Sequence, residues 1–388
     1  MNDRERFLAV ARGETPDYVP IFGFPGAPGM SRGCMKKTHD RLVATGMPAH
    51  VGGVYDLGMP ALNVPSWYRY WGTTGPIGLD FSVAGGAPGI KSTTRVEDGY
   101  DIIEDECGAI TRQVIDNGIT YSMPEFIRYP VRDRASWEKY RDLTTPHTVM
   151  SAADIEANCR RFDDRTEPLC LGGISTYGRV RSMMGTAAAS LMLYDDPELV
   201  RDIIARDCEN FMAHGAPLIR RLKPEIVACW EDIGYKTGLL ISPCHFRELC
   251  APYYRQVAEV AHDAGVPVIT VDSDGNAMQL VPLLDECGLN SLHPFEAHAN
   301  NDLFALRARF AEFVMFGWLE KEVVNEGNED DIEGEIMSKV PPLLAKGRYF
   351  PNGDHGIQPP VTFPALCRFM TLLHEVCENP EGEFPRSH

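Results

Sequence analysis

Residues 266–296 read VPVITVDSDGNAMQLVPLLDECGLNSLHPFE. The stretch begins with an apolar run, Val266–Val271, continues with a helical period at 277–286 and reaches a second apolar run, Leu289–Leu292. Short apolar runs that alternate with helical periods predict parallel strands joined by crossover helices. Both runs are followed by ionisable residues, namely Asp272, Asp274, His293 and Glu296.

The same alternation continues on both sides of this unit. Further strands are predicted at Leu169–Ile174, Ile226–Trp230, Phe313–Leu319 and Tyr349–Pro351, with an early strand at Val19–Phe24. Helices are predicted at 196–215, 245–264, 302–311, 330–345 and 363–377. The repeated units favour a distorted (β/α)8 TIM barrel over an open doubly wound sheet, and no G-x-G-x-x-G motif follows a strand to support a dinucleotide fold.

Residues 1–165 are less regular. They contain a short amphipathic helix around Arg4 to Ala11, a Gly/Pro-rich stretch at 23–33 and two strand-like runs that flank Asn117-Gly118, a pair suited to a tight hairpin turn. We expect helices, loops and a hairpin to wrap the barrel, within a single domain over 1–388 to which 166–388 contribute most of the barrel.

The composition is that of a soluble enzyme. The 388 residues are 44% hydrophobic and 24% charged, and the net charge of −18 argues against a nucleic-acid partner. No apolar run is long enough to span a bilayer, and the first residues lack the pattern of a signal peptide. The 11 cysteines are scattered without a C-x-x-C motif, which fits a reducing compartment, so we expect a cytoplasmic protein.

Ionisable residues follow most of the predicted strands. In a parallel barrel these side chains meet at the mouth formed by the carboxyl ends of the strands, where they are costly unless they pair, bind a metal or transfer protons. The sequence therefore predicts an active site from these residues: Glu231, Asp272, Asp274, His293, Glu296 and His355.

The order of motifs resembles the uroporphyrinogen decarboxylase superfamily, which also contains cobalamin-dependent methyltransferases. The matching segments are Asn2–Val10, Arg12–Pro20, Tyr194–Val200, Trp230–Asp232, Ile241–Pro243, Val271–Asn276, His293–Glu296 and Asn352–Ile357. The resemblance covers most of the chain and implies a distorted TIM barrel.

Two departures bear on the chemistry. True uroporphyrinogen decarboxylases carry an N-terminal pair of arginines for the carboxylates of the porphyrinogen, and residues 24–33 here contain no such pair. The zinc methyltransferases of the superfamily carry His-x-Cys and a second Cys where this chain has Asp272, Asp274 and His355. Two carboxylates and an imidazole form a harder set that suits zinc or another divalent ion as a Lewis acid.

The resemblance therefore implies a first-step methyltransferase that moves a methyl group from a small O-, N- or S-methyl donor to Co(I) of a corrinoid. We expect His355, Asp274 and Glu231 to be catalytic, and Asp272, Asp274 and His355 to hold the metal. Arg179, Arg181, His293 and Glu296 are predicted to contact the substrate. The chain has no D-x-H-x-x-G cobalamin motif, so the corrinoid is expected on a separate protein; a homodimer is the family expectation.

Other interpretations remain open at this point. Asp272 or Asp274 could cap the following helix, and His355 could be a turn histidine bonded to an aspartate. Neighbouring strand residues point to opposite faces, so at most one of Glu231 and Asp232 enters the mouth, and we favour Glu231.

The side chains of His293 and Glu296 could instead form hydrogen bonds to the backbone of a proline-bounded turn. Arg179 and Arg181 could lie in the solvent-exposed first turn of a helix. The alternative function is a metal-free carboxy-lyase in which the same groups protonate a carbanion-like centre. A binding module without catalysis would leave the strand-end carboxylates unexplained.

Overall fold

The computed structural model describes residues 1–23, 36–52, 55–56, 59–60, 64–78, 83–84, 92–105, 108–114, 124–143, 147–148 and 151–387. The Gly/Pro-rich residues 24–33 and the predicted hairpin turn at 116–118 lie outside these ranges, as does the second strand of that hairpin at 119–123.

The N-terminal part surrounds the barrel with short elements. Its helices are α1 (Asp3–Arg12), α2 (Lys36–Ala44), α3 (Val64–Trp71), α4 (Arg134–Leu143) and α5 (Ala152–Arg160). Its strands are β1 (Tyr55–Asp56), β2 (Met59–Pro60), β3 (Ile77–Gly78), β4 (Val83–Ala84), β5 (Thr93–Glu97), β6 (Tyr100–Glu104), β7 (Ile110–Val114), β8 (Glu125–Arg128) and β9 (His147–Thr148). Strands β5 to β8 form an antiparallel sheet, in which β7 is the first strand of the predicted hairpin.

The C-terminal part alternates strands with helices. Its strands are β10 (Leu169–Gly172), β11 (Ile226–Trp230), β12 (Gly234–Tyr235), β13 (Gly238–Leu239), β14 (Val268–Asp272), β15 (Ser291–Phe295), β16 (Val314–Gly317) and β17 (Tyr349–Phe350). Its helices are α6 (Tyr177–Met184), α7 (Thr186–Asp195), α8 (Pro197–Asn210), α9 (Ala216–Leu222), α10 (Pro243–His245), α11 (Ala251–Ala264), α12 (Leu280–Asp285), α13 (Leu303–Arg309), α14 (Lys321–Glu326), α15 (Glu329–Leu344) and α16 (Phe363–Val376). Two π-helical turns, Phe211–Gly215 and Phe246–Cys250, and a 3₁₀ turn, Ala297–Ala299, complete it.

Seven parallel strands form one curled sheet in the order β17-β16-β15-β14-β11-β10-β3. Within its described residues, the predicted early strand Val19–Phe24 forms only an isolated bridge at Phe22, and Phe24 lies outside the described ranges. Phe22 nevertheless links the two edges of the sheet, because it pairs in parallel with Thr74 just before β3 and its carbonyl accepts from the Asn352 side chain over 2.7 Å beyond β17. The predicted TIM-barrel class is confirmed, and the carboxyl ends of these strands point to one mouth.

Aromatic side chains fill the opposite, N-terminal end of the barrel. The rings of Phe316 and Phe350 stack at 4.5 Å, and Phe7 from α1 stacks on Phe350 at 4.9 Å. Helix α1 begins with a capping box between Asn2 and Glu5, which fixes its first turn. The predicted N-terminal helix thus closes the N-terminal end of the barrel, and the polar residues lie at the opposite end, the mouth.

Some boundaries differ from the prediction for local reasons. Helix α12 begins at Leu280 rather than at residue 277, because Asn276 and Ala277 are tied by hydrogen bonds to the loop at Ala299 and Asn301. Helices α6 and α7 were not predicted, and Gly185, with φ of 80°, separates them.

Among the described residues, no helix is both long and apolar enough to cross a bilayer. Of the 11 cysteines, the nine that fall in described ranges are free thiols, and most of them are buried.

We predict that acid weakens the fold through buried His374. Its ring is fully buried in α16, where burial and the charge of Arg386 lower its pKa to about 4. The carbonyls of Asn379 and Trp71, 3.2 and 2.9 Å from the two ring nitrogens, partly oppose the shift because only the protonated ring donates to both. The folded pKa lies below the unfolded value of about 6.5, so unfolded chains bind the proton first and stability is lost as pH falls from 6.5 towards 4.

This histidine should lower the free energy of unfolding by ~2 kcal/mol between pH 8 and pH 5. Urea titrations at both pH values check this. The variant His374→Gln should show a shallower pH dependence, whereas an unchanged difference between pH 8 and pH 5 would contradict the assignment.

Candidate active site

Three residues form one layer on the inner face of the barrel at its mouth. Trp230 is the register partner of Asp272, and Asp272 is the register partner of His293, across adjacent strands β11, β14 and β15. Register partners in a parallel sheet point to the same face, and Ile226 and Ala228, at two-residue intervals before Trp230, pack in the inner aromatic core. The layer therefore lies on the mouth side of that core.

Just beyond this layer, the structure brings together Asp274, Glu296 and His355, here called the mouth triad. They follow β14, β15 and β17, and each offers one ligand atom within 4.8 Å of the other two. His355 Nε2 lies 3.1 Å from Asp274 Oδ1, and His355 Nδ1 lies 3.7 Å from Glu296 Oε1.

Backbone contacts hold the triad in place. The amide N–H of Gly275 donates to Glu296 Oε2, and this position has φ of 87°, which favours glycine. The buried carboxylate of Asp354 accepts from the amides of Ala297 and Lys321 over 3.0 and 3.2 Å. The loops that carry Glu296 and His355 are thereby tied to each other and to the start of α14.

The charges in the triad reinforce one another. Burial opposes ionisation of Asp274, but the hydrogen bond and the charge of His355 outweigh it, and the pKa of Asp274 is lowered. Burial likewise disfavours the imidazolium of His355, but Asp274 and Glu296 outweigh it, and the pKa of His355 is raised. Asp274 and His355 therefore each stabilise the charged form of the other.

The triad fits a divalent cation. Two carboxylates and one imidazole are a ligand set that zinc and other borderline ions accept. His355 Nδ1 is buried and has no hydrogen-bond partner, which is unusual for a ring nitrogen and leaves that atom available to a ligand.

The structure places Asp272 outside this triad, contrary to the metal set expected from the sequence. Its Oδ2 lies 4.0 Å from Nε2 of His293, and Glu296 occupies the third position of the group instead. Neither Asp272 nor Asp274 caps α12, because that helix begins at Leu280.

His293 is a buried, neutral member of the inner layer. Its Nδ1 shares a hydrogen bond with the Thr270 hydroxyl at 3.0 Å, and burial lowers its pKa to about 4 despite the nearby Asp274. Its ring is therefore uncharged at neutral pH.

Glu231 lies away from the mouth. Its side chain is completely buried, and its carboxylate accepts from the amide and hydroxyl of Thr176, the amide of Gly178 and the Tyr254 hydroxyl. Burial raises its pKa although these four donors act in the opposite direction. In this position Glu231, which the sequence predicts to be catalytic, anchors the first turn of α6 and is not brought together with Asp274 and His355.

Both predicted substrate arginines face carboxylates. Arg179 lies 3.0 Å from Asp207, and Arg181 lies 2.9 Å from Asp232, the neighbour of Glu231. Their charges are therefore neutralised within the fold.

Sequence reasoning missed two supporting residues. Thr270 orients His293, and its signal is the two-residue spacing that puts it on the same face of β14 as Asp272. Asp354 precedes His355 directly, but its role as a loop clamp depends on the amides of Ala297 and Lys321, which are distant in the sequence.

We predict that Asp354→Ala weakens metal binding without removing a ligand. Loss of the clamp should loosen the loops that carry Glu296 and His355, and changes of such supporting groups lower metal affinity by about 10- to 100-fold. Zinc titration with a competing chelator measures this. Equal zinc affinity of the variant and the native protein would contradict the role of Asp354.

Comparisons with known proteins agree with this architecture. The family model for uroporphyrinogen decarboxylase (URO-D) matches residues 118–376. A methyltransferase from Methanosarcina mazei is among the 25 matching chains of solved structures; the likeness covers 97% of this chain and 99% of that chain, with a TM-score of 0.59 and 13% identity. At this identity the likeness shows the fold. A comparison with curated protein sequences finds no match.

Proposed function

The chain belongs to the uroporphyrinogen decarboxylase (URO-D) family, and from this premise we propose that it is a first-step methyltransferase. The reaction moves a methyl group from a small O-, N- or S-methyl donor to Co(I) of a corrinoid that is carried by a separate protein. The observation that supports this most strongly is the mouth triad, in which Asp274, Glu296 and His355 meet at the carboxyl ends of the barrel strands.

The donor set of the triad suits activation of a leaving group. Asp274, Glu296 and His355 would hold a divalent cation, with zinc as the first candidate, which supplies Lewis acidity towards the heteroatom that loses its methyl group. Asp274 orients His355 through Nε2, and the clamp at Asp354 keeps the loops of Glu296 and His355 at a fixed separation.

The charges around the mouth argue against the carboxy-lyase alternative. A carboxylated substrate needs free cations, and the candidate arginines Arg179 and Arg181 are each paired with an aspartate. Lys321, which begins α14, lies 3.6 Å from Glu322 and 4.0 Å from Asp354. The carboxylate of a substrate would therefore be repelled at the mouth by Asp272, Asp274 and Glu296.

The corrinoid is assigned to a partner because the sequence carries no D-x-H-x-x-G motif. A second protein would present its cofactor at the barrel mouth to a substrate bound below. The net charge of −18 suits a protein partner better than a polyanion.

The test is a methyl-transfer assay. The purified protein is loaded with zinc and mixed with a corrinoid protein in the Co(I) state and a panel of methyl ethers, methylamines and methyl thioethers. Disappearance of the Co(I) absorbance with formation of methyl-Co(III) supports the proposal, provided that it depends on this protein and on one donor class.

A chelated sample separates the two chemistries. Under the proposal, chelation removes methyl transfer and zinc restores it. Release of carbon dioxide from a carboxylated substrate that persists after chelation and needs no corrinoid would overturn the proposal in favour of the carboxy-lyase.

A further inference from the structure

A buried asparagine, Asn301, links the loops that carry two members of the mouth triad. Its side-chain amide donates to the carbonyls of Gly275 and Glu296 over 3.0 and 2.9 Å. Its side-chain oxygen accepts from the amide of Ala277 over 2.8 Å. The side chain is only 5% exposed, and its amide group is used entirely to hold the backbone of the two loops together.

The main chain of Asn301 is held from a third loop. The indole N–H of Trp318, the residue after β16, donates to the Asn301 carbonyl over 2.9 Å. Trp318 is buried and has φ of 76°, a left-handed conformation that a bulky residue rarely adopts unless its surroundings enforce it. Asn301 therefore connects the loops that follow three neighbouring strands, β14, β15 and β16.

Gly275 passes this constraint on to the carboxylate of Glu296. Its N–H donates to Oε2 of Glu296, while its carbonyl accepts from Asn301. A side chain at position 275 would overlap the backbone of Tyr235, so this segment has no room to shift on that side. With Oε2 engaged, Glu296 is left with Oε1 for a ligand, and this oxygen lies 3.7 Å from Nδ1 of His355.

The single free oxygen of Glu296 bears on which ion the triad accepts. Zinc at a catalytic site typically takes three protein ligands, imidazole and carboxylate among them, and completes a tetrahedron with water or substrate. Calcium needs roughly six to eight oxygen ligands and often takes both oxygens of a carboxylate. A site with one imidazole, and with one glutamate oxygen committed to a backbone N–H, therefore suits zinc and disfavours calcium.

We infer that Asn301 is a positioning residue that selects the ion. It holds the loops of Asp274 and Glu296 at the separation that a small divalent cation requires, and through Gly275 it keeps Glu296 to one ligand oxygen. This inference rests on the proposed function, which places the cation on the mouth triad. It adds a preference for zinc over calcium that depends on a residue outside the ligand set.

Zinc and calcium titrations of Asn301→Ala test this inference. Zinc affinity is measured against a competing chelator, and calcium affinity with a calcium-sensitive dye. We expect Asn301→Ala to bind zinc about 10- to 100-fold more weakly than the native protein, the range found when groups that support metal ligands are replaced. Calcium affinity should not fall, so the preference for zinc over calcium should drop by at least about 10-fold.

Asn276→Ala is the matched control. The Asn276 amide also ties the two loops together, because it donates to the carbonyls of Ala299 and Asn300 over 2.7 and 3.3 Å, but these bonds involve neither Gly275 nor Glu296. Thermal unfolding is recorded for every variant, since loss of a buried amide weakens the fold in both cases. The zinc affinity of Asn276→Ala should stay close to that of the native protein.

Two further measurements separate positioning from folding. Trp318→Phe removes the indole N–H that holds the Asn301 carbonyl but keeps an aromatic ring. It should weaken zinc binding less than Asn301→Ala does, and it keeps the test decisive if Asn301→Ala does not fold. Cobalt(II) bound in place of zinc absorbs visible light according to the number and geometry of its ligands. This spectrum should change in Asn301→Ala and stay native in Asn276→Ala.

The outcomes distinguish this inference from the proposed function. A zinc affinity and a preference over calcium that neither Asn301→Ala nor Trp318→Phe changes would overturn the inference and leave the metal site in place, as would an equal loss in Asn276→Ala. A native protein that takes up no zinc would overturn both. Asn301-dependent zinc binding, in a protein that transfers no methyl group from any donor to Co(I), would support the inference and overturn the methyltransferase.

Discussion

His355→Ala is expected to lower the rate of methyl transfer by about 10²- to 10⁴-fold, the range typical for loss of one essential acid, base or activating group. His355 contributes the imidazole of the mouth triad, and its Nδ1 is the buried atom without a partner. Its removal takes away the imidazole ligand and leaves Asp274 and Glu296 alone to hold a metal, which weakens the site for the ion that would activate the leaving group.

His298→Ala is the matched control for this substitution. His298 lies two residues beyond Glu296, is mostly exposed and pairs with Glu320 outside the triad. Circular dichroism and thermal unfolding should be close to native for both variants. A His355→Ala protein that keeps its rate, or a His298→Ala protein that loses it equally, would contradict the role of the triad.

Glu231→Ala is expected to reduce the free energy of unfolding by about 3–5 kcal/mol, as is typical when one member of a buried polar network is deleted. The substitution leaves the amides of Thr176 and Gly178 and the Tyr254 hydroxyl without their shared acceptor. Because Thr176 precedes α6 and Gly178 lies in its first turn, the start of that helix should become mobile.

Denaturant titration of Glu231→Ala measures this loss, and Asp232→Asn is the neighbouring control. Asp232 makes a partly exposed ion pair with Arg181, so its substitution should cost less than about 1 kcal/mol. If Glu231→Ala were as stable as the native protein but had lost methyl transfer, Glu231 would be a catalytic residue after all, as expected from the sequence.

The barrel could be predicted because its pattern is local. Strand Ile226–Trp230 is found with the predicted bounds, and the unit at 266–296 forms two neighbouring parallel strands. The clustering of strand-end residues also follows from local information, since parallel strands put their carboxyl ends on one side.

The roles within the cluster could not be assigned in the same way. In the sequence, Glu231, Asp272 and Asp274 are equally good candidates for the site, because each lies at or just after the end of a strand. In the structure their carboxylates contact different partners: Glu231 contacts Thr176, Asp272 lies near His293, and Asp274 contacts His355. Whether a carboxylate meets His355 or the first turn of α6 is decided by contacts between residues far apart in sequence, such as Glu231 with Thr176.

Elemental analysis of the purified protein tests the central claim most directly. We expect close to one zinc per chain in the native protein and in Asp272→Ala, and loss of that zinc in Asp274→Ala, Glu296→Ala and His355→Ala. A native protein that takes up no zinc or other divalent ion when it is supplied, or a metal that is lost in Asp272→Ala but kept in Glu296→Ala, would contradict the assignment of the mouth triad as the metal site.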